Sequence, residues 1–331
     1  MPSRFGFISP SHACASLLLA ALPLAAHSQP AGWPSKPITI VVPTTPSSAS
    51  DIWARLYSQA IAENTSWKFL LDYKPGAGAT LGAGFVAKSA PDGYTLLIVS
   101  STLTTAPVVY KNLGFDPVKS FAPVSMTSNG SSMLLVHPSI NVSTYKEYVA
   151  YAKANPGKIS FGNSGVGSTY HLSGIVFHKA IGAEVTFIPY KGAGDVSTAN
   201  LAGEIQASFG SLSVNLPLVK SGKLRALGVT TTRRSVMLPD MPTIQDLCGC
   251  EFEHNAWTGV VSPAGTPPAI VNALSREFIK ASSNPEVAKR LGASGMESGG
   301  STPEFISRII SNETEKWRKV VRENNLVIQA E

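Results

Sequence analysis

The sequence predicts an α/β fold with largely parallel strands, on three observations. Short apolar runs alternate with segments of helical periodicity along the body of the chain. The order strand, helix, strand repeats with little interruption, and strand after strand ends in small polar residues that open the next helix. At 331 residues the chain has room for two domains, each burying its own core.

Residues 1–28 stand apart from that body. Arg4 precedes the apolar stretch "ACASLLLAALPLAA", which ends at small residues before "HSQP". This is the pattern of a Sec-type signal peptide. Cleavage is expected after Ser28, with cleavage after Ala26 as the alternative, so the mature protein is expected to be exported and soluble. The apolar run is too short for a bilayer span, and no later stretch approaches about 20 uninterrupted apolar residues. Cys14 lies at the start of that run and is badly placed for lipidation.

The elements follow in order. "ITIVVP" (38–43) reads as a strand, and "DIWARLYSQAIAE" as a helix with Ile52, Leu56, Ala60 and Ile61 on one face and Asp51 at its N-cap. "KFLLDY" (68–73) is the next strand, "ATLGAGFVAKSA" the next helix, and "YTLLIVSS" (94–101) a third strand that ends in hydroxyls. A second unit begins near residue 129. "SSMLLVHPS" is its first strand, and "STYKEYVAYAKANPG" a helix with Ser143 as cap and Gly157 as stop. "KISFGNSG", "EVTFIPY", "IQASFGS" and "KLRALGVTT" read as strands, with "STYHLSGIVFHKAIG" and "DVSTANLAGE" as helices among them. Two long helical patterns, "PPAIVNALSREFIKASS" and "TPEFISRIISNETEKWRKVVREN", finish the chain. No long Pro, Gly or Ser tract separates the units, so their boundary is expected at crossing strands and not at a flexible linker.

The formal net charge is +6, yet charged residues make up only 15% of the chain and the basic ones are scattered. The densest run, "EKWRKVVRE" (315–323), alternates in sign, which reads as a solvated helix face. Nucleic acid is not an expected partner. A mild positive excess suits a small organic anion. Cys248 and Cys250 form a lone C-x-C, which is poor zinc spacing. A local disulfide and two partly buried thiols remain the alternatives.

Four loops carry the chemistry: "PTTPSSASD" (43–51), "SSTLTT" (100–105), "GNSGVGSTYH" (162–171) and "PYKGAGD" (189–195). They offer backbone N–H groups, neutral hydroxyls and glycines at presumed helix starts, a combination that binds carboxylates or phosphates without a full opposite charge. Taken singly, each loop reads first as Ser and Thr capping a helix; together, on presumed strand ends, they point to a binding cleft. Enzyme signatures fail. "GNSGV" (162–166) breaks the nucleophile elbow at its last position, and "GAGATLG" (76–82) is one residue too long for a dinucleotide fingerprint. His171 and His178 are spaced for one helix face but lack carboxylate partners for a metal, while His171, in the first turn after a glycine loop, is a candidate ligand contact. No metal, cofactor or catalysis is expected. An exported hydrolase using Ser164 and His171 is the rival reading.

The segments "WPSKPITIVVP", "KPGAGATLGAGFVAKSAPDGYTLL", "YKNLGFDPVKSFAPVS", "YAKANPGKISFGNSGVGSTYHLSG", "IPYKGAGD", "SGKLRALGVTTTRRSVMLPDMPTI" and "GVVSPAGTPPAIVNAL" resemble, in order and spacing, the Bug-type periplasmic solute-binding proteins of tripartite tricarboxylate transporters. The resemblance implies a two-domain, type II-like periplasmic binding protein fold with the ligand cleft between the domains and two crossings of the chain. It places domain one at 33–128 plus 252–331 and domain two at 129–251. It implies a periplasmic monomer that takes a small organic anion, a mono- or dicarboxylate, and delivers it to a two-subunit membrane permease. A receptor that senses its ligand for signalling is the alternative on the same fold.

Carried over by position, the resemblance assigns ligand-facing roles to Thr44, Thr45, Ser47, Ser48, Ala49 and Asp51, then to Ser100, Ser101 and Thr102. In the second domain it assigns Ser164, Gly165, Gly167, Ser168 and Thr169, then Tyr190, Gly192 and Ala193. The chain departs from the family pattern at Ser47 and Ser48, where glycines are usual, and at Ser211, which replaces a carboxylate. A neutral cleft of this kind is expected to prefer acids that carry no amino group. Trp53, Tyr170, Tyr190 and Trp257 are candidates for flooring a pocket for an aromatic acid, or for core packing.

Overall fold

The computed structural model describes residues 32–323 apart from Ser47, Val236, Glu251, Ser294 and Gly295, together with Met1 and Leu326. The segment read as a signal peptide, with Cys14, lies outside the described residues, as does Ser47.

β1 (Ile38–Val42) is a run of β-branched residues buried along its length, as a central parallel strand requires. It feeds α1 (Ala49–Ala62), whose N-cap is Ser48: the Ser48 hydroxyl accepts the Asp51 N–H. Asp51, expected at the cap, instead lies inside the first turn. The expected apolar face is also rotated. Leu56, Ala60 and Ile61 are buried with Trp53 and Tyr57, whereas Ile52 is 52% exposed, because one residue steps about 100° around a helix.

β2 (Phe69–Tyr73), a 3-10 turn at Ala77–Ala79, α2 (Thr80–Ala87), β3 (Thr95–Ser100) and α3 (Thr102–Val109) complete the first part of the chain. "SSTLTT", read as a loop, is thus mostly the first turn of α3. β4 (Phe121–Val136) then runs for 16 residues, where the sequence suggested only its last part. The Ser, Thr, Asn and Gly of its first stretch carry little strand propensity.

The chain continues through α4 (Tyr145–Ala154), β5 (Ser160–Asn163), α5 (Thr169–Ala180), β6 (Thr186–Pro189), α6 (Ala193–Ala202), β7 (Ala207–Ser211), α7 (Leu212–Lys220), β8 (Arg225–Val229) and α8 (Ile244–Cys248). The cap of α4 is Thr144 and not Ser143. Glu147 closes a capping box there, accepting the Thr144 N–H while donating its own N–H to the Thr144 hydroxyl. The helix ends at Ala154, before Gly157. Cys248 and Cys250 are joined as a disulfide just after α8. The chain returns along β9 (Asn255–Pro263) and closes with α9 (Pro268–Ser282), α10 (Pro285–Ala293), β10 (Glu297–Ser298) and α11 (Pro303–Glu323).

The described strands form one ten-stranded mixed sheet. β1 pairs in parallel with β2 and β3, and β5 with β6 and β7. The expectation of largely parallel strands fails in the middle. β9 runs antiparallel to β3 and β4, and β4 antiparallel to β7 and β8. One strand carries the chain out of the first lobe and its neighbour carries it back, so the two must run in opposite directions.

Each end of the sheet has its own core. Ile38, Ile40, Tyr57, Leu274 and Phe278 pack between the sheet, α1 and α9. On the other side of the same strands, Val41, Leu97, Val99 and Trp257 meet Ile306 and Ile310 of α11. The second lobe is built on Tyr148, Phe161, Phe177 and Phe209. In the charged run expected to be solvated, Trp317 is buried against Val109 and Leu172.

Tyr57 ties α1 to the central sheet. Its hydroxyl donates to the Thr127 carbonyl at 2.6 Å and lies 3.0 Å from the Ser282 hydroxyl. Thr127 O also accepts the Gly299 N–H, so Tyr57→Phe orphans no acceptor and should cost only about 0.5–1.5 kcal/mol. Urea unfolding of the two forms, with unchanged m-value, checks this; a loss several times larger would mean the hydroxyl does more than bridge helix and strand.

Candidate functional site

Helices α1, α3, α5 and α6 each begin just beyond the carboxyl end of the preceding strand, which is where open α/β sheets gather ligands. The local sequence decides how each start is finished. Ser48 and Ser168 cap α1 and α5 with their hydroxyls, whereas α3 and α6 start at Ser101 and Gly192 with no side-chain cap bond. In α3 the Thr104 N–H turns back to the Ser101 carbonyl, and no side chain caps the N–H groups that precede it or those that open α6.

Thr44, Thr45, Ser100 and Thr102 line one cavity of about 400 Å3 in the first lobe, together with Ser50 and Thr80. The Thr44 hydroxyl lies 2.6 Å from that of Ser48, the α1 cap, and the hydroxyls of Ser100 and Thr102 are hydrogen-bonded. Ala49 opens α1. Asp51 turns elsewhere: its buried carboxylate accepts from Arg55 Nε at 2.9 Å and from the Tyr73 hydroxyl at 2.6 Å.

The second-lobe residues gather around the end of β5. Gly165 N–H donates to Asn163 Oδ1 and Tyr190 N–H to the Asn163 carbonyl, which sets the loop from Ser164 to Ser168 beside Tyr190, Gly192 and Ala193. The two lobes touch where Ser101 and Thr169, both nearly fully buried, bring their hydroxyls to 3.3 Å. Gly167 makes this approach possible. It sits at φ +76°, and a Cβ there would come within 2.4 Å of Val109 Cγ2. Ser211 ends β7 opposite Ser132 of β4, and its carbonyl accepts from Asn215.

His171 Nδ1 accepts the Gly167 N–H at 3.1 Å, and its ring stands edge-on to Phe187. Burial lowers its pKa and keeps it neutral. His178 does not join it. The His178 ring is fixed by the Tyr148 hydroxyl and the Gly174 carbonyl, and burial holds its pKa down to about 4. Among the candidate aromatics, Trp53 stacks on Tyr57 in the core and Trp257 is buried. The Tyr170 hydroxyl lies 3.3 Å from that of Ser132, and Tyr190 is half-buried at its loop.

Two features escaped the sequence reading. Buried Asn163 has no partner for its Nδ2 among the described residues, which leaves a donor at the end of β5. Its only signal in the sequence was an asparagine as the last residue of an apolar strand. The second is Glu313 of α11, on the helix read as solvated. Trp257 Nε1 lies 3.0 Å from both of its carboxyl oxygens, and the Thr104 hydroxyl 3.0 Å from Oε2. Thr104 also reaches the Ser101 carbonyl at 2.7 Å, so a chain of polar groups runs from the returning strand β9 through α11 to the start of α3. Burial pushes the Glu313 pKa up to about 7, reinforced by Glu253 and opposed by Trp257, Thr104 and Lys316.

Two α/β lobes sharing one sheet, with helix starts from both meeting at their junction, are the architecture of the periplasmic binding proteins. Residues 53–326 match the family described as the tripartite tricarboxylate transporter family receptor, and the chain belongs to that family. It is 31% identical to protein BugT of Bordetella pertussis over 88% of this chain and 90% of that one. Among solved structures it is similar to R. palustris Rpa4515 with adipate, at 32% identity and a TM-score of 0.75, covering 88% of this chain and 97% of that one. It is also similar to the periplasmic binding protein BugD, at 28% identity and a TM-score of 0.75, covering 90% of this chain and 100% of that one. The family and the fold are those of solute-binding receptors.

Because the Glu313 pKa lies above the carboxyl's ordinary 4.5, the folded state binds its proton more tightly than the unfolded chain. The stability this proton contributes is complete below about pH 4.5 and is lost as pH rises through about 7. Glu313→Gln should flatten that part of the pH dependence. Urea midpoints of both forms at pH 5 and pH 8 check it: the native protein should lose more on going to pH 8 than the variant does.

Proposed function

We propose that the protein is a periplasmic receptor that captures a small organic anion between its two lobes and passes it to a two-subunit membrane permease. The observation that carries this reading is the meeting of helix starts at the Ser101–Thr169 contact, where the N-terminus of α3 faces that of α5. Backbone N–H groups, the hydroxyls of Thr44, Ser100 and Thr102, and the orphan amide of Asn163 supply donors. A carboxylate supplies the matching acceptors.

The lobes divide at 33–128 plus 252–331 and at 129–251, a boundary supported by the change of β4 from β9 to β7 and β8 after Ser131. A solute bridging them stabilises the closed arrangement in which both sets of donors reach it, and the permease distinguishes that arrangement from the open one. Each hydrogen bond to a charged group contributes roughly 1.5–3 kcal/mol. A handful, less the cost of ordering, gives affinity of about micromolar order. No covalent step is involved. The adipate complex of Rpa4515 favours carboxylates as the solute class. With Ser211 replacing the acidic residue of the family pattern, the cleft lacks one partner for an amine and suits acids without an amino group.

A thermal-shift screen against mono- and dicarboxylates, aromatic acids and acidic amino acids tests the reading. A cognate acid at about 100 times its Kd should add roughly 2.7 kcal/mol of stability, with no product formed. Turnover of an acyl ester would defeat it, and tight, selective binding of an acidic amino acid would defeat the preference for acids without an amino group.

A further inference from the structure

The first-lobe cavity has two characters. Its hydroxyl-bearing residues, Thr44, Thr45, Ser100 and Thr102, are half-buried or exposed and form a rim. The residues they stand over are apolar and buried: Ala83, Leu97, Val99, Leu103 and Ala106, closed on one side by half-buried Phe115. Phe115 is held in place by an edge-on contact with Phe121, ring centroids 5.6 Å apart. At about 400 Å3 the space falls within the range of small-molecule sites, about 300–1,000 Å3.

One wall is the turn after β2. Ala77 and Ala79 are held there at φ +45° and +77°, a conformation that glycine adopts without cost and alanine does not. Ala79 lines the cavity.

α3 is shared between this chamber and the junction of the lobes. Thr102, Leu103 and Ala106 face the cavity, while Ser101 meets Thr169 and Thr104 meets Glu313. An anion held at the start of α3 therefore has the chamber beside it.

We infer that this chamber is a subsite for the apolar body of the solute. The carboxylate is held at the hydroxyl rim and the helix starts, and an aromatic ring or an alkyl chain fills the floor. The inference rests on the reading of the protein as an anion receptor and narrows its solutes to carboxylates with a hydrophobic body. Polyhydroxylated acids are disfavoured, because hydroxyls set against Leu97, Val99 and Leu103 find no partners there.

Titration calorimetry of the protein with unbranched monocarboxylates from acetate to octanoate, and with benzoate, tests the subsite. Affinity should rise about threefold to fourfold per methylene until the floor is filled, with an increasingly negative heat-capacity change. Ala106→Leu, which narrows the chamber, should reduce the ratio of octanoate to acetate affinity by about tenfold or more. Phe115→Ala, which widens it, should move the optimum to longer acids. Acids that bind with no gain along the series would overturn the subsite and leave the receptor reading standing, and so would a rising series that neither variant alters. Failure of every carboxylate to bind would overturn both.

Discussion

One strand has to serve two lobes. The backbone N–H and C=O groups of β4 are buried in the middle of the molecule and must all find partners. They do so by exchanging neighbours part-way along: β9 from Phe121 to Ser131, then β7 and β8 from Ser132 to Val136. Because β9 is the returning segment, the two passages of the chain between the lobes are hydrogen-bonded to each other, with Ser128 and Thr258 linked through their hydroxyls as well. This seam sets where everything else can be. It puts the strand ends of β3 and β5 on facing edges, and so brings the starts of α3 and α5 together at Ser101 and Thr169.

The meeting point presents helix starts and hydroxyls rather than paired charges. Two buried or nearly buried acidic side chains lie on the elements that meet there, and each has its own partners. Asp51 is paired with Arg55 and accepts from Tyr73, and Glu313 is driven by burial toward its neutral form. The Thr104 hydroxyl lies within hydrogen-bonding distance of both Glu313 Oε2 and the Ser101 carbonyl, which links the buried carboxyl to the polar chain beneath α3. What remains facing the cavity is hydroxyls, helix starts and hydrocarbon.

The alternation of strands and helices was legible in the sequence wherever hydrophobic periodicity was strong, as in β1, α1, β3, α9 and α11. The seam was not. β4 begins with "FAPVSMTSNG", a composition that reads as a loop, and its strand character comes from the ladder with β9, a partner more than a hundred residues away. α3 was hidden by its threonines and Pro107, α7 by Pro217. Caps were misplaced by a few residues at Asp51 and by one at Ser143, since several hydroxyl or acidic residues in a row leave the choice of cap to backbone geometry. Of the site, the loops were visible because glycine and hydroxyl residues cluster there. Asn163 and Glu313 were not, because each depends on what the fold buries around it. The apolar floor was equally invisible: Leu97 and Val99 read as ordinary strand interior, and only packing leaves a space beside them.

The alanines of the turn after β2 set the direction in which this protein can change. At Ala77 and Ala79 the backbone favours glycine, yet Ala79 is a lining residue of the chamber. Replacing it with glycine would relax the chain there. The turn thus trades backbone ease for a side chain at a lining position, and glycine at that one position reverses the trade.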